Sequence, residues 1–292
     1  MPRTRSKSQD FIKKQSLKLS VTKLCDYLEA SRSGYYRWIK APLCARKLEE
    51  LRLKPLIIKA FTDSKRIYGS PRVHAVISRE GIVCVVNRVA RLMKELGLRS
   101  LLKKKYRVTT NSKHNKAVAQ NILNRKFYPL QANQAWVGDI TYIWTGEGWL
   151  YLAVVIDLHS RKVTCWSMSE WIKTGLIQQA LAHAVKTRQP SNQVLFHSDR
   201  GVQYASDAFQ KDLKDNNLLC SMSRKGNCWD NAVVESFFKS LKQEWLHQMR
   251  FKTRQDARGR VFDYIECFYN PKRLHSTLGY LSPVEFETVN FI

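Results

Sequence analysis

The chain has 292 residues, enough for one large domain or two ordinary ones. It carries 50 Lys and Arg against 24 Asp and Glu, a net charge of +26, and 44% of its residues are hydrophobic. This composition excludes bulk disorder, and the positive charge indicates a polyanionic partner such as nucleic acid. No apolar run approaches the length of a membrane span and no signal-peptide pattern is present, so we expect a soluble, intracellular protein.

The charge is distributed unevenly along the chain. Residues 1–132 hold 31 Lys and Arg and 8 Asp and Glu, a net of +23, whereas residues 133–292 hold 19 and 16, a net of +3. The first part therefore has the charge of a phosphate-binding region, and the second has the balance of an ordinary enzyme. The seven cysteines form no CxxC pair, so we expect free thiols and not a zinc knuckle or a disulfide framework.

The N-terminal part shows only helical patterns. Residues 1–50 are predicted to be a basic leader, frayed up to about residue 18, followed by a short helical hairpin. Residues 51–112 are predicted to form a helix-turn-helix DNA-binding domain, and residues 113–132 a polar linker.

The helix-turn-helix prediction depends on three helical segments. The first covers residues 51–63, the second stops at Gly81 and the third is capped by Gly97. Two helices joined by a short turn can place the second in the DNA major groove. One face of the last helix carries three cations, Arg88, Arg91 and Lys94. We expect DNA contacts there, and a solvated charged face is the alternative.

From residue 133 the pattern alternates between strands and helices, which predicts a catalytic core over residues 133–292. Three strands in a meander are followed by helix, strand, helix, strand and helix, and a further helix is predicted over residues 253–269. This order is typical of an α/β domain built on a mixed sheet.

Three acidic residues are expected to meet in this core. Asp139 is predicted at the end of the first strand, Asp199 at the end of the fourth, and Glu235 near the start of a helix. Phosphodiester chemistry uses such carboxylates to hold two Mg²⁺ ions about 4 Å apart, because hard cations prefer oxygen ligands. We therefore predict that these three residues are catalytic and bind metal.

Two lysines follow Glu235 on the same predicted helix. Lys239 lies about one turn further along and Lys242 about two turns, which places them above the predicted metal ligand. Both are predicted to contact DNA, and a solvated helix face is the alternative for Lys242.

Five strings then resemble one family of proteins. They are "WVGDITYI", "YLAVVIDLHSRKV", "HSDRGVQYAS", "KGNCWDNAVVESFFKSLKQE" and "YNPKRLHSTLGYLSP", which fall within residues 136–283. They resemble the bacterial insertion-sequence transposases of the OrfB type, which have a retroviral-integrase-like DDE core. The upstream segments "YGSPRVHAVI" and "VNRVARLMKELGL" are similar to that family's helix-turn-helix.

This resemblance implies a ribonuclease-H-like mixed-sheet catalytic core preceded by an all-α helix-turn-helix DNA-binding region. It also implies a triad of Asp139, Asp199 and Glu235, a Lys242 contact to the transposon end, and Mg²⁺ as cofactor. We expect two ions, for which Mn²⁺ can substitute.

The expected function is that of a transposase, a polynucleotidyl transferase that binds transposon ends in double-stranded DNA, cleaves them and joins the 3′-OH to a new phosphodiester. We expect a homo-oligomer on DNA, an upstream-frame product or fusion as a possible partner, and a place in the bacterial cytoplasm at the nucleoid. The alternatives are a non-catalytic DNA-binding repressor and a plain ribonuclease-H-type nuclease.

Other conspicuous residues are given structural roles. Asp157 is expected in a turn or an ion pair, His197 in packing behind the site, and His275 at a helix end or on DNA. Gly138 stands where many members of the family carry a polar residue, and we expect it to affect the strand edge only. Three tryptophans are predicted to be core or loop anchors, Trp136, Trp149 and Trp229, with base stacking as an alternative for Trp229.

Overall fold

The computed structural model describes residues 3–40, 44–100, 118–225 and 227–290. The chain forms two compact units, Met1–Ala60 and Phe61–Ile292. The predicted four-part domain division stays a prediction, and residues 101–112 of its second part and 113–117 of its linker lie outside the described ranges.

The N-terminal unit is helical from its first described residue. Its helices are α1 (Arg3–Gln15), α2 (Val21–Tyr27), α3 (Arg32–Lys40) and the start of α4 (Ala45–Asp63). The prediction of a frayed leader is wrong, because Ile12 on α1 is buried in a cluster with Leu24, Cys25 and Tyr35. The helix predicted over residues 51–63 also begins earlier, at Ala45.

The second unit is built on one mixed sheet, as predicted. Its strands are β1 (Ala135–Thr145), β2 (Gly148–Asp157), β3 (Val163–Ser169), β4 (Val194–Ser198) and β5 (Leu218–Met222). Their spatial order is β3-β2-β1-β4-β5. The meander β1–β2–β3 is antiparallel, and β4 pairs in parallel with both β1 and β5.

The helices of this unit follow the predicted order. They are α5 (Ser70–Arg79), α6 (Val86–Glu95), α7 (Thr174–Arg188), α8 (Asp207–Asp215), α9 (Ala232–Glu244), α10 (Arg254–Phe262), α11 (Asn270–Lys272) and α12 (Pro283–Asn290). Gly81 and Gly97 follow α5 and α6 with φ of 79° and 68°, the left-handed backbone that glycine adopts at low cost. The helix predicted over residues 253–269 changes at Asp263–Tyr269 into a π-helix.

The main core lies between the sheet and helices α7 and α8, and Trp136 is fully buried in it, as predicted. Gly138 corrects an expectation. It pairs with Val155 on one side and Ser198 on the other, so it lies inside the sheet and not at an edge. A Cβ at this position would lie 2.6 Å from Cζ of Phe196, so the core ring occupies the space that a side chain would need.

Residues 118–132, which we call the strap, have no regular secondary structure but are bonded to the core. The backbone N–H groups of Ile122 and Leu123 donate to Ser221 Oγ at 3.0 and 3.2 Å, and the Leu123 side chain is buried. Asn121 and Arg125 bind a carboxylate of the core. This part of the predicted linker therefore belongs structurally to the catalytic core.

Within the described ranges, no helix is both long and apolar enough to span a membrane. The six cysteines whose side chains the structure describes are free thiols, as expected.

Candidate active site

The sheet register brings Asp139 next to Asp199. The parallel pairing of β1 with β4 ends at the pair Gly138–Ser198, and the next residue on each chain is one of the two aspartates. β1 itself continues to Thr145 along β2, so the prediction that Asp139 ends the strand is wrong. Asp139 instead follows the last residue of the parallel β1–β4 pairing. The carboxyl ends of parallel strands are where α/β sheets gather functional groups.

Asp139 lies among other acidic groups. Burial raises the pKa of Asp139 well above its usual range, and the nearby carboxylates of Asp199 and Glu235 raise it further. The N–H of Ile140, which donates to Asp139 Oδ1 at 2.7 Å, and the ammonium of Lys242 act in the opposite direction. The structure therefore brings together the three predicted carboxylates and one of the two predicted lysines.

The string "HSDRGVQYAS" makes a tight turn around Asp199. The N–H of Gly201 donates to Asp199 Oδ1 at 2.8 Å, and a Cβ at Gly201 would lie 2.9 Å from that oxygen. Three residues later Tyr204 is buried, with 2% of its surface exposed. Burial, Asp139 and Asp199 all raise the pKa of Tyr204 well above its usual value. Sequence reasoning missed Tyr204, although it stands in the same string as Asp199.

Glu235 is delivered by a loop held around one buried carboxylate. Asp230 accepts hydrogen bonds from Arg224 Nη2 at 2.8 Å, Arg125 Nε at 2.9 Å and Asn121 Nδ2 at 2.8 Å. The Arg224 bond, with Arg125 adding to it, holds the pKa of Asp230 well below its usual range. The strap and the loop before α9 are thus tied together immediately before Glu235. Sequence reasoning did not single out Asp230.

Glu235 lies in the first turn of α9 and is partly buried. Burial raises the pKa of Glu235, and the nearby carboxylate of Asp199 raises it further. Two turns further, Lys242 is buried with 9% of its surface exposed. Its Nζ lies 4.6 Å from the centre of the Tyr142 ring. Burial lowers the pKa of Lys242 to about 8, against the opposing effect of Asp139. Lys242 is therefore not a solvated helix-face lysine, whereas Lys239 is exposed.

The three predicted DNA contacts of α6 lie on its outer side. Val89, Leu92 and Met93 are buried on the opposite face. Lys94 is exposed, Arg88 and Arg91 are partly exposed, and Arg91 forms an ion pair with Glu95 one turn along. The position is compatible with DNA contact, which stays a prediction.

Two residues given structural roles are placed accordingly. Asp157 is fully buried and its Oδ2 accepts from Arg188 Nη2 at 2.9 Å, so the predicted ion pair is confirmed. His197 is buried in β4 with Nδ1 2.8 Å from Ser221 Oγ, and burial lowers its pKa to about 4. His197 is therefore a neutral packing group beside β5.

His275 lies at the N-terminal end of the short helix Ser276–Leu278, which is one of the two predicted positions, but its side chain makes no capping hydrogen bond there. It packs edge-on against Tyr269, and burial together with Arg273 lowers its pKa. The remaining predicted anchors differ in exposure. Trp149 packs against Trp144 with ring centres 4.8 Å apart, whereas Trp229 is exposed.

The donor set of the site is chemically suited to a hard cation. Among the residues that the structure describes, no three His, Cys, Asp or Glu side chains lie close enough to form a complete metal cage. The three carboxylates nevertheless share one electrostatic environment, in which Asp199 and Glu235 raise the pKa of Asp139, and Asp199 raises the pKa of Glu235. Oxygen ligands at mutually repelling positions fit a divalent cation such as Mg²⁺ better than a thiolate- or imidazole-seeking metal.

A five-stranded mixed sheet with carboxylates at the end of its central parallel pair defines an integrase-core protein. Models of the family described as "Integrase core domain" match residues 129–228 and 235–291, and one described as "HTH-like domain" matches residues 47–106. The fold class is therefore confirmed as a ribonuclease-H-like core preceded by a helical helix-turn-helix-like region.

Close relatives identify the family. The chain is 43% identical over 282 residues to the transposase InsF for insertion sequence IS3A of Escherichia coli strain K12. The aligned region covers 96% of this chain and 98% of that relative. The chain is also 43% identical over 263 residues to the uncharacterized 31 kDa protein of insertion element IS600 of Shigella sonnei, covering 90% and 97%.

Among solved structures, the catalytic core domain of HTLV-2 integrase in complex with magnesium matches with a TM-score of 0.41 and 17% identity, covering 54% of this chain and 97% of that one. The chain belongs to the IS3 family of insertion-sequence transposases. Its activity is therefore that of a DDE-type DNA strand transferase in DNA transposition, as predicted.

Proposed function

We propose that Asp139, Asp199 and Glu235 are the catalytic residues of this transposase and that they hold two Mg²⁺ ions, for which Mn²⁺ can substitute. The observation that carries this proposal is the convergence of three carboxylates at the end of the β1–β4 pairing, where Asp199 and Glu235 raise the pKa of Asp139 and Asp199 raises the pKa of Glu235. The magnesium bound to a distant integrase core supports the choice of metal.

When bound, the cations supply activation of the attacking oxygen and stabilisation of the leaving oxygen. The residues of the chain orient the DNA around them. Lys242, buried against Tyr142 and within the field of Asp139, neutralises a phosphate next to the scissile bond. Asp230 and its arginines position the loop that carries Glu235. No covalent protein–DNA intermediate is required, because the 3′-OH freed by cleavage is itself the next nucleophile.

The double-stranded DNA of the transposon ends binds, in this proposal, through the α5–α6 region as well as the core. Arg88, Arg91, Lys94 and Lys239 contribute cations to that surface. We further propose a homo-oligomer on DNA, joint action with an upstream-frame product or as a fusion with it, and activity at the bacterial nucleoid.

An oligonucleotide assay tests the proposal. A labelled duplex carrying the inverted repeat that flanks the gene is incubated with the full chain and Mg²⁺, and with chelator as control. The proposal predicts joined product. Cut product alone would indicate a plain nuclease, and a gel shift without chemistry would indicate a DNA-binding repressor. Either of these two results would contradict the proposal.

A further inference from the structure

A pocket of about 470 Å³ lies beside α9, on a different face of the helix from Glu235 and Lys242. Its walls come from α5, the strap, the turn between β2 and β3, α9, and residues 269–277 around α11. All of these belong to the Phe61–Ile292 unit. The predicted metal ligands do not line this pocket, so it is separate from the carboxylate site.

The pocket carries an excess of positive charge. Among the described residues that line it, four are cations, Arg72, Arg161, Lys239 and Arg273, and one is a carboxylate, Glu244. Glu244 is already engaged, because Arg273 Nε and Nη2 donate to it at 2.8 and 2.6 Å and the Tyr264 hydroxyl donates at 2.9 Å. The other three cations therefore face a pocket that lacks a compensating carboxylate of its own.

Arg161 is the most informative of these cations. It is buried, with 6% of its surface exposed, and Nη2 donates to the carbonyl of Phe127 at 2.9 Å. Its guanidinium lies 5.0 Å from the centre of the Tyr128 ring. Buried Nη1 has no hydrogen-bond partner among the residues that the structure describes. A buried charged donor without an acceptor is costly, so this arrangement favours an anionic ligand.

The titration behaviour of two neighbouring residues also reflects the positive charge around the pocket. Arg72 donates through Nε to the carbonyl of Leu274 at 2.9 Å. Burial lowers the pKa of Arg72, and the nearby guanidinium of Arg273 lowers it further. After burial, the pKa of His275 is lowered by three guanidinium groups, those of Arg273, Arg72 and Arg161. The three arginines thus act on one small volume.

We propose that this pocket binds a backbone phosphate of the DNA strand that passes the three carboxylates, an inference that rests on the proposed function. At about 100° per residue, Lys239 and Ser240 lie about 40° and 140° around α9 from Glu235. A strand that leaves Glu235 therefore meets Lys239, at the near side of the pocket, before it reaches Ser240. Arginine suits the pocket floor, because its planar donors match phosphate oxygens.

The first experiment measures DNA affinity of the full chain against salt concentration without added divalent cation. Arg161→Gln and Arg72→Gln are each expected to weaken binding roughly ten- to a hundredfold and to make the slope shallower by about 0.9. Arg161→Lys keeps the charge and should keep the slope. Arg260→Gln, an exposed residue of α10 paired with Asp263, is the matched control and should behave like the parent.

The second experiment places single neutral methylphosphonates along the strand next to the scissile bond. At one position the methylphosphonate should weaken DNA binding by the parent. At the same position it should not weaken binding by Arg161→Gln any further, because that variant has already lost the contact to this phosphate. Thermal melts check folding, and if Arg161→Gln is misfolded, the exposed Lys239→Ala variant takes its place. Inorganic phosphate alone is the comparison ligand, and its stabilisation of the parent should be lost in the variant.

Folded variants with the parent's slope and affinity would overturn the proposal. So would an effect of the variants on inorganic phosphate binding only, which would indicate a site for a free anion. This test measures DNA binding without added divalent cation, so its result does not depend on strand joining. A parent that fails to join DNA would therefore contradict the proposed function but not the pocket proposal. A parent that joins DNA, with variants that bind DNA normally, would contradict the pocket proposal alone.

Discussion

Asp139 and Asp157 lie on neighbouring strands of one sheet, yet their surroundings are opposite. Asp157 accepts from Arg188 Nη2 at 2.9 Å and from the N–H groups of Asn133 and His159 at 2.8 and 2.9 Å. Asp139 instead has the carboxylates of Asp199 and Glu235 as neighbours, with Lys242 as the opposing charge. The charge of Asp157 is neutralised by Arg188 and by backbone N–H groups, whereas the neighbouring carboxylates of Asp139 disfavour its ionised form.

The difference separates structural acids from functional ones. A buried carboxylate bonded to an arginine and to backbone N–H groups is part of the fold, and removing it leaves a buried cation behind. A carboxylate surrounded by carboxylates is retained at a cost to the metal-free protein, which is reasonable only if a cationic ligand binds there. Substituting members of each class should therefore give opposite results in activity and stability.

The largest effect is expected from Asp139→Asn, Asp199→Asn and Glu235→Gln. Each should abolish cleavage and joining and leave DNA binding nearly unchanged, because these groups are proposed to bind metal and not to stabilise the fold. Gel-based strand-transfer and binding assays measure both. A tenth of the parent's joining rate in any of the three would contradict the assignment.

Asp139→Asn should also not lower the melting temperature in the presence of chelator. The pKa of Asp139 is raised in the folded state, so its ionised form destabilises the fold at neutral pH. This cost declines as the pH falls through the folded-state pKa and vanishes below the pKa of the unfolded chain, and Asp139→Asn removes it at any pH. A large drop in melting temperature would show that Asp139 stabilises the fold as Asp157 does.

Asp157→Asn should show the reverse behaviour. It leaves Arg188, which is also bound by Glu287, with half of its buried partners, and we expect a loss of about 3 kcal/mol in the free energy of unfolding. Urea unfolding measures this loss. Asp215→Asn, in an exposed pair with Lys211, is the control and should change stability by less than about 1 kcal/mol. Equal results for the two variants would remove the distinction.

Lys242→Ala tests the cation of the site. It should raise the barrier for cleavage of cognate ends by about 1–3 kcal/mol, because one phosphate contact next to the scissile bond is lost. Cleavage of cognate and scrambled duplexes is compared, with a thermal melt as a check on folding. Lys211→Ala, on the exposed side of α8, is the matched control. Unchanged cognate cleavage would show that Lys242 has no role on DNA.

The smallest effects are expected on α6. Lys94→Ala and Arg88→Ala should each make the salt dependence of DNA binding shallower by about 0.9. Arg91→Ala should do less, because Arg91 already forms an ion pair with Glu95. Titrations at several salt concentrations measure the slopes. If all three variants keep the salt slope of the parent, the cations on this face of α6 do not contact DNA.

The proximity of Asp139, Asp199 and Glu235 could be predicted because each residue stands beside a local signal, a strand of apolar residues or the first turn of a helix. What surrounds them could not be predicted in this way. Asp157 meets Arg188 across 31 positions, and Asp230 meets Arg125 across 105 and Asn121 across 109. Hydrophobic periodicity is a local property of the sequence and carries no information about such partners.

Two errors of prediction have the same origin. The few large apolar residues of the leader, Phe11, Ile12 and Leu17, show no helical period in the sequence, yet the burial of Ile12 with Tyr35 stabilises a helix. The position of Asp139 inside β1 could not be read from the apolar pattern, because β1 pairs with β4 only up to Gly138 but with β2 up to Thr145. The pocket around Arg161 cannot be predicted from the sequence, because its walls come from five separate segments.

The contact of Gly138 with Phe196 also limits the routes by which this core can evolve. A side chain at position 138 would overlap the Phe196 ring, with its Cβ 2.6 Å from Cζ, so substitution of the glycine alone would displace a ring at the centre of the core. A smaller residue at position 196 removes the overlap and leaves a cavity that the new side chain can partly fill. The order of the two changes is therefore constrained. A lineage that gains a polar group beside the first aspartate must reduce the aromatic ring first, or change both positions together.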